Sequence, residues 1–180
     1  RRASQGHRGV WAPDGLGPSS VLVGGMRLYW HPFSIVPRRV RIALREKALP
    51  CDEVEVDLPG GALRSPAFRH LNPFGQVPVL EDGALVIAES IAILEYLDER
   101  YPTPPLLPTD VGQRATARQY MLWSGDYLMP AWKNWMAPFF VPGASKDDPA
   151  VRQARADFAA HLDVLEARLL TRVWLTDEFS

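Results

Sequence analysis

A chain of 180 residues, 47% hydrophobic and 23% charged, falls in the globular class and is long enough for one large core or two small ones. Its formal net charge of -1 argues against a general nucleic-acid binder, which needs a concentrated basic surface that this balance does not advertise. The single cysteine, Cys51, excludes an internal disulfide and any multi-cysteine metal site, and no apolar run reaches the length of a membrane span. A cytoplasmic enzyme or binding protein is the expectation.

Residues 1–25 mix Arg, Gly, Pro and Ser without period and read as a disordered leader or a start-site artefact, with folding expected from Met26. Arg27 to Trp30 is β-like, and the turn His31 to Ser34 leads into a helix over Pro37 to Lys47, where Val40, Ala43, Leu44 and Lys47 share a face. Val54 and Val56 alternate with acidic residues in a half-buried strand over Cys51 to Leu58. Pro59-Gly60-Gly61 breaks the chain, and Ser65-Pro66 supplies a cap and a first-position proline for a short helix. Val77 to Leu80 is a strand interrupted by Pro78, Asp82-Gly83 is a hairpin signal, and Ala84 to Ala88 returns antiparallel. Glu89-Ser90 then opens a helix carrying Ile93, Leu94 and Leu97, and its free N–H groups would attract an anion.

The Pro-rich stretch 102–109 is a linker, which divides the chain into a first domain, 26–101, and a second, 110–180. In the second, Asp110 and Gln113 form a capping-box signature, and a helix runs toward Met129, where Pro130 is expected to kink or end it. Asp148-Pro149 opens another helix with Val151, Ala154, Phe158, Leu162, Leu165 and Leu169 on one stripe.

The run NPFGQVPVLEDG followed by ESIAILEYLDERYP and a Pro-rich linker, with RLYWHPFSIVPRRVRIAL before it, resembles the soluble glutathione S-transferase superfamily over residues 26–180. The resemblance implies a thioredoxin-like α/β domain followed by an all-α domain, of the serine-using theta- and phi-like kind. It implies glutathione as co-substrate, a small apolar electrophile as its acceptor, and a homodimer. Pro78 matches the superfamily's cis-proline, which would let the Val77 backbone pair with the peptide. Glu89 and Ser90 match the pair that holds the γ-glutamyl end, Gln76 a peptide contact, and Arg64 a partner for the glycyl carboxylate. Ser34 matches the serine that stabilises the glutathione thiolate, with Tyr29 as the alternative because other classes carry a tyrosine there. Read without the resemblance, Ser34 and Ser90 are helix caps, Pro78 a trans edge proline and Tyr29 a core residue.

Between Leu28 and Val40 no cysteine is present, which removes the nucleophile of glutaredoxin-like exchange, and His31, His70 and His161 lack ligand spacing, so no metal is expected. The zeta-like isomerases are a weaker match, because their serine-serine-cysteine turn is missing from HPFSIVP. Family members continue for several helices beyond the position of Ser180, so the expectation is a chain truncated within its second domain, with apolar faces exposed around Trp123 and Phe158. A non-catalytic module that binds glutathione or a protein partner is the competing reading.

Overall fold

The computed structural model describes residues 9–11 and 25–177. The chain divides into two compact units, 1–106 and 107–180.

The first unit is a five-stranded sheet with helices on both faces. In chain order it comprises β1 (Gly9–Trp11), β2 (Met26–Trp30), α1 (Val36–Glu46), β3 (Cys51–Val56), a single 3-10 turn (Ala62–Arg64), α2 (Pro66–Leu71), β4 (Val79–Asp82), β5 (Leu85–Ala88) and α3 (Ser90–Arg100). The sheet order is β1-β3-β2-β4-β5; β2 pairs parallel with β3, and β4 pairs antiparallel with both β2 and β5. Period-2 alternation splits the core between the two faces. Leu28 and Leu80, opposite each other in the ladder, pack with Val40, Ala43 and Leu44 of α1 and Ile93 and Leu97 of α3. Their neighbours Tyr29 and Val79, also a facing pair, turn to the other side and pack with Val56, Ala62 and Phe68 of α2.

Local signals account for most boundaries. The Ser65 hydroxyl accepts the Phe68 N–H at 3.1 Å, with Pro66 in the first turn of α2. The hairpin loop is Gly83-Ala84, one residue later than Asp82-Gly83, because Gly83 is the residue at positive φ and Asp82 still pairs with Leu85. Asp82 is instead engaged by α3, accepting hydrogen bonds from Tyr96 and Tyr101 at 2.7 and 2.9 Å. The expected disordered leader lies outside the described residues except at Gly25 and at Gly9–Trp11, and those three residues differ from the expectation by forming a strand parallel to β3.

All the regular structure described in the second unit is helical: α4 (Val111–Trp123), one π-helical turn (Ser124–Leu128), α5 (Met129–Phe140) and α6 (Pro149–Leu169). Pro130 does not end the helix. The π turn directly before it widens the ring, which accommodates a residue that has no N–H and crowds the preceding carbonyl. Trp135 packs on Phe158 at 5.3 Å and Trp123 meets His161 edge-on at 5.5 Å. The inner stripe of α6 therefore runs Val151, Ala154, Phe158, His161, Leu165, while Leu162 and Leu169 of the expected stripe face solvent. Trp123 and Phe158 are half-buried; the exposed apolar side chains of this unit include Val111, Leu122, Phe139, Phe140 and Val173. Among the described residues no helix is long and apolar enough to cross a membrane.

Candidate functional site

Strand register fixes where the sequence-derived residues come together. Val79 of β4 lies opposite Tyr29 of β2 on one side and Ala88 of β5 on the other. Because β4 is antiparallel to both, its start sits beside the C-terminal ends of its two neighbours. One end of the sheet thus gathers the turn carrying Ser34, the approach Gln76-Val77-Pro78, and the Glu89-Ser90 start of α3.

Helices α1 and α3 both begin at this end, and neither has a side-chain cap or an acidic residue in its first turn. By contrast, Ser65, Asp110 and Asp148 cap α2, α4 and α6. Uncapped N–H groups at a helix start carry partial positive charge, so this end favours an anion twice over.

The Ser34 N–H closes its turn on the His31 carbonyl at 3.0 Å, and Ile35 takes the N-cap position of α1 without a side-chain bond. The Ser34 hydroxyl therefore does not serve as the cap, and it has no hydrogen-bond partner among the described residues. Tyr29 is placed differently. It is buried, edge-on to Phe68 at 6.2 Å, and its hydroxyl donates to Glu81 at 2.9 Å while accepting from Arg27 at 3.4 Å. Burial raises the phenol's pKa above its ordinary value, outweighing the Arg27 hydrogen bond that lowers it.

The Val77–Pro78 peptide bond is cis, and the Val77 N–H and C=O have no hydrogen bond among the described residues. A backbone unpaired on both groups beside a strand start can add an extended peptide to the sheet. Gln76 is exposed, and its carbonyl accepts from the Asn72 amide at 2.9 Å. Arg64, in the 3-10 turn, is exposed and has no ion pair among the described residues. Its turn abuts the same loop: a Cβ built on Gly75 would come within 2.7 Å of the Leu63 carbonyl oxygen.

Glu89 is exposed at the N-cap of α3 with φ 70° and ψ 114°, a backbone conformation that costs a non-glycine residue ~1–3 kcal/mol. Ser90 is buried at the first position of that helix, and its hydroxyl too lacks a partner among the described residues.

Two residues that sequence reasoning passed over hold these loops. Asn72 is 1% exposed; its side chain accepts the Phe74 N–H at 3.0 Å and donates to Gln76, while its carbonyl accepts the Gly75 N–H at 2.8 Å. The usable signal was Asn-Pro-x-Gly, since Asn bonds its own backbone two residues on. His31 is buried, and its Nδ1 accepts the Phe33 N–H at 3.1 Å. Cys51 stands apart at the start of β3, where burial, with Glu53 and Asp52 adding to it, pushes the thiol up to about 12. Among the described residues no group of three or more His, Cys, Asp or Glu side chains could hold a metal ion.

The family model for the glutathione S-transferase N-terminal domain matches residues 28–105. Glutathione S-transferase F10 of Arabidopsis thaliana is 31% identical over 155 residues, covering 83% of this chain and 72% of that protein. The chain belongs to the glutathione S-transferase family. This transferase-family chain is also 35% identical over 164 residues to FtsZ-localized protein A of Caulobacter vibrioides, covering 82% of the chain and 68% of that protein. Among solved structures, the theta class glutathione S-transferase of Xanthomonas axonopodis pv. citri with glutathione bound superposes with a TM-score of 0.79 at 28% identity, covering 88% of this chain and 77% of that one. The likeness to zeta-type transferases is stronger but shorter: Glutathione S-transferase Z1 of Arabidopsis thaliana is 46% identical over 96 residues, 53% of this chain and 43% of that protein. The chain thus spans less than half the length of the first zeta-type relatives it matches.

Proposed function

We propose that this chain is part of a glutathione transferase whose first unit binds glutathione at the Ser34–Val77–Ser90 end of the sheet and activates its thiol for attack on a small apolar electrophile. The observation that carries the proposal is the register of β4, which brings an unpaired Val77 backbone and two uncapped helix N-termini to one place. Extended glutathione adds along Val77, its γ-glutamyl carboxylate meets the N–H groups and hydroxyl of Ser90, and its ammonium meets Glu89. Gln76 contacts the peptide, and Arg64 takes the glycyl carboxylate.

Magnitudes favour Ser34 over Tyr29 at the sulfur. A thiol ionises near ~8.5, so holding it as thiolate at pH 7 requires ~2 kcal/mol of differential stabilisation of the anion. One hydrogen bond to a charged acceptor is worth ~1.5–3 kcal/mol and a helix terminus ~0.3–1 kcal/mol, so the Ser34 hydroxyl is the larger contribution and the α1 dipole the smaller. Tyr29 is the weaker candidate because its proton is already shared with Glu81.

The test is Ser34→Ala assayed with glutathione and a panel of small apolar electrophiles. A loss of ~100-fold in kcat/KM with unchanged retention on glutathione resin is the expected result. Wild-type turnover retained in the variant would remove Ser34 from the mechanism. A binding module without turnover is the second reading, favoured by the 35% identical relative whose name records localisation to FtsZ. Wild-type protein, in its full natural length, that binds the resin yet consumes none of the electrophiles would establish it. Homodimerisation and a cytoplasmic location belong to the same proposal, the first of them readable by sedimentation.

A further inference from the structure

The outermost strand, β1, carries none of the proposed binding residues, yet its register ties it to one of them. It runs parallel to β3, with Gly9 opposite Val54, Val10 opposite Glu55 and Trp11 opposite Val56. On the other edge of β3, pairing with β2 spans only Cys51 to Glu55. Among the described residues Val56, the last of the strand, therefore has β1 as its only strand partner. Since β1 and β2 both run parallel to β3, Trp11 and Val56 lie at the end of the sheet where Trp30 leads into the Ser34 turn.

The chain then runs from Val56 to Arg64 through a loop closed on its own first residue. The Asp57 carbonyl accepts the Ala62 N–H at 3.0 Å, the Asp57 carboxylate accepts the Gly60 N–H at 2.9 Å, and the Gly61 carbonyl accepts the Arg64 N–H at 2.9 Å. Val56 is buried against Ala62 and Phe68, so packing holds its side chain while β1 holds its outer backbone edge. A loop bonded in this way follows the strand end it hangs from. An arginine meeting a carboxylate needs a fixed base, because charge-assisted bonds depend on direction as well as distance. We propose that β1 is a positioning strand for the glycyl end of glutathione: by pairing with Val56 it fixes the loop 57–64, and through it Arg64. This rests on the assignment of Arg64 to the glycyl carboxylate made above.

The test is Val10→Pro combined with Trp11→Pro in the whole chain. Successive N–H groups of a strand point to opposite edges, so one of the two prolines removes a donor facing β3. Affinity is measured by calorimetry for glutathione and for γ-glutamylcysteine, which lacks the glycyl carboxylate. Wild type is expected to prefer glutathione by ~10-fold or more, the worth of one bond between charged groups, and the double variant to lose most of that preference. Its kcat at saturating glutathione and its affinity for γ-glutamylcysteine are expected to stay at wild-type values. In hydrogen exchange read by mass spectrometry, the amides of 57–64 are expected to exchange ~10-fold faster in the variant, with those of 79–97 unchanged as the sign of an intact sheet. Exchange of 57–64 at the wild-type rate overturns the positioning role, and so does an equal loss of affinity for both peptides. Wild-type protein that binds the two peptides alike removes Arg64 from the glycyl carboxylate and the inference with it. The exchange measurement needs no ligand, so that failure is told apart from a failure of β1 to hold the loop.

Discussion

The Tyr29 hydroxyl and the Glu81 carboxylate are joined by a 2.9 Å hydrogen bond across the β2–β4 pair, with Arg27 Nη1 3.3 Å from the same carboxylate oxygen. The phenol is the donor in that bond. A proton committed to a carboxylate is a poor donor to a thiolate, so Tyr29→Phe is expected to keep kcat/KM within about threefold of wild type. The cost appears in stability instead, ~1 kcal/mol for one part-buried hydrogen bond, read by urea unfolding. A fall in turnover as deep as that expected of Ser34→Ala would transfer the thiolate role to Tyr29.

The loop before β4 should be intolerant of a side chain at Gly75. Its φ of 61° is disfavoured for other residues, and an added Cβ would lie 2.7 Å from the Leu63 carbonyl oxygen and 2.9 Å from Arg69 Cζ. Arg69 can swing away; a backbone carbonyl cannot. Gly75→Ala is expected to cost ~1–3 kcal/mol and to weaken retention on glutathione resin, since the same loop presents Gln76 and Val77. Retention equal to wild type would show that this loop does not position the peptide.

Cys51 gives a pH dependence of definite sign. Its thiol ordinarily ionises at 9.0 and is pushed up to about 12 in the folded chain, chiefly by burial. Below pH 9 both states keep the proton, and above it the unfolded chain releases the proton first, so this contribution to stability is lost as pH rises from 9 toward 12. At about pH 10.5 the loss amounts to ~2 kcal/mol. Wild type should therefore lose more stability than Cys51→Ala between pH 8 and about pH 10.5 in matched urea unfolding curves. Parallel losses would show that Cys51 ionises freely in the folded state.

What was legible in the chain was chemistry that acts locally. Ser65, Asp110 and Asp148 cap the helices they precede because a short oxygen-bearing side chain reaches an N–H two or three residues on whatever the fold. The positions of Ser34, Val77, Pro78, Glu89 and Ser90 followed from a motif, and the strand register places their segments at one end of the sheet. Tertiary partners hid the rest. The inner face of α6 admits His161 and turns Leu162 out, because Trp123 and Tyr127 take the imidazole between them at 5.5 and 6.2 Å. The positive φ of Glu89 has no signal in a glutamate, and Gly9–Trp11 becomes a strand only by pairing with β3.

The capping box of α4 shows both sides of this within two residues. Asp110 Oδ1 accepts the Gln113 N–H at 2.9 Å, as the spacing requires. The reciprocal bond does not form, because the Gln113 side chain turns to Asp177, donating through Nε2 at 2.7 Å and accepting the Asp177 N–H through Oε1 at 3.1 Å. Sequence rules alone rate a glutamate at this position as good as the glutamine or better. The structure predicts the opposite for Gln113→Glu, since a carboxylate there would face the Asp177 carboxylate with its donor gone. Arg172, paired with Asp177 at 2.6 Å, relieves part of that repulsion but cannot replace the lost N–H. The melting temperature is expected to fall by ~2–4 °C, the shift that corresponds to ~1 kcal/mol in a chain of this size. A rise in melting temperature at neutral pH would mean that the introduced carboxylate returns to the Asp110 N–H and that the Asp177 contact contributes little.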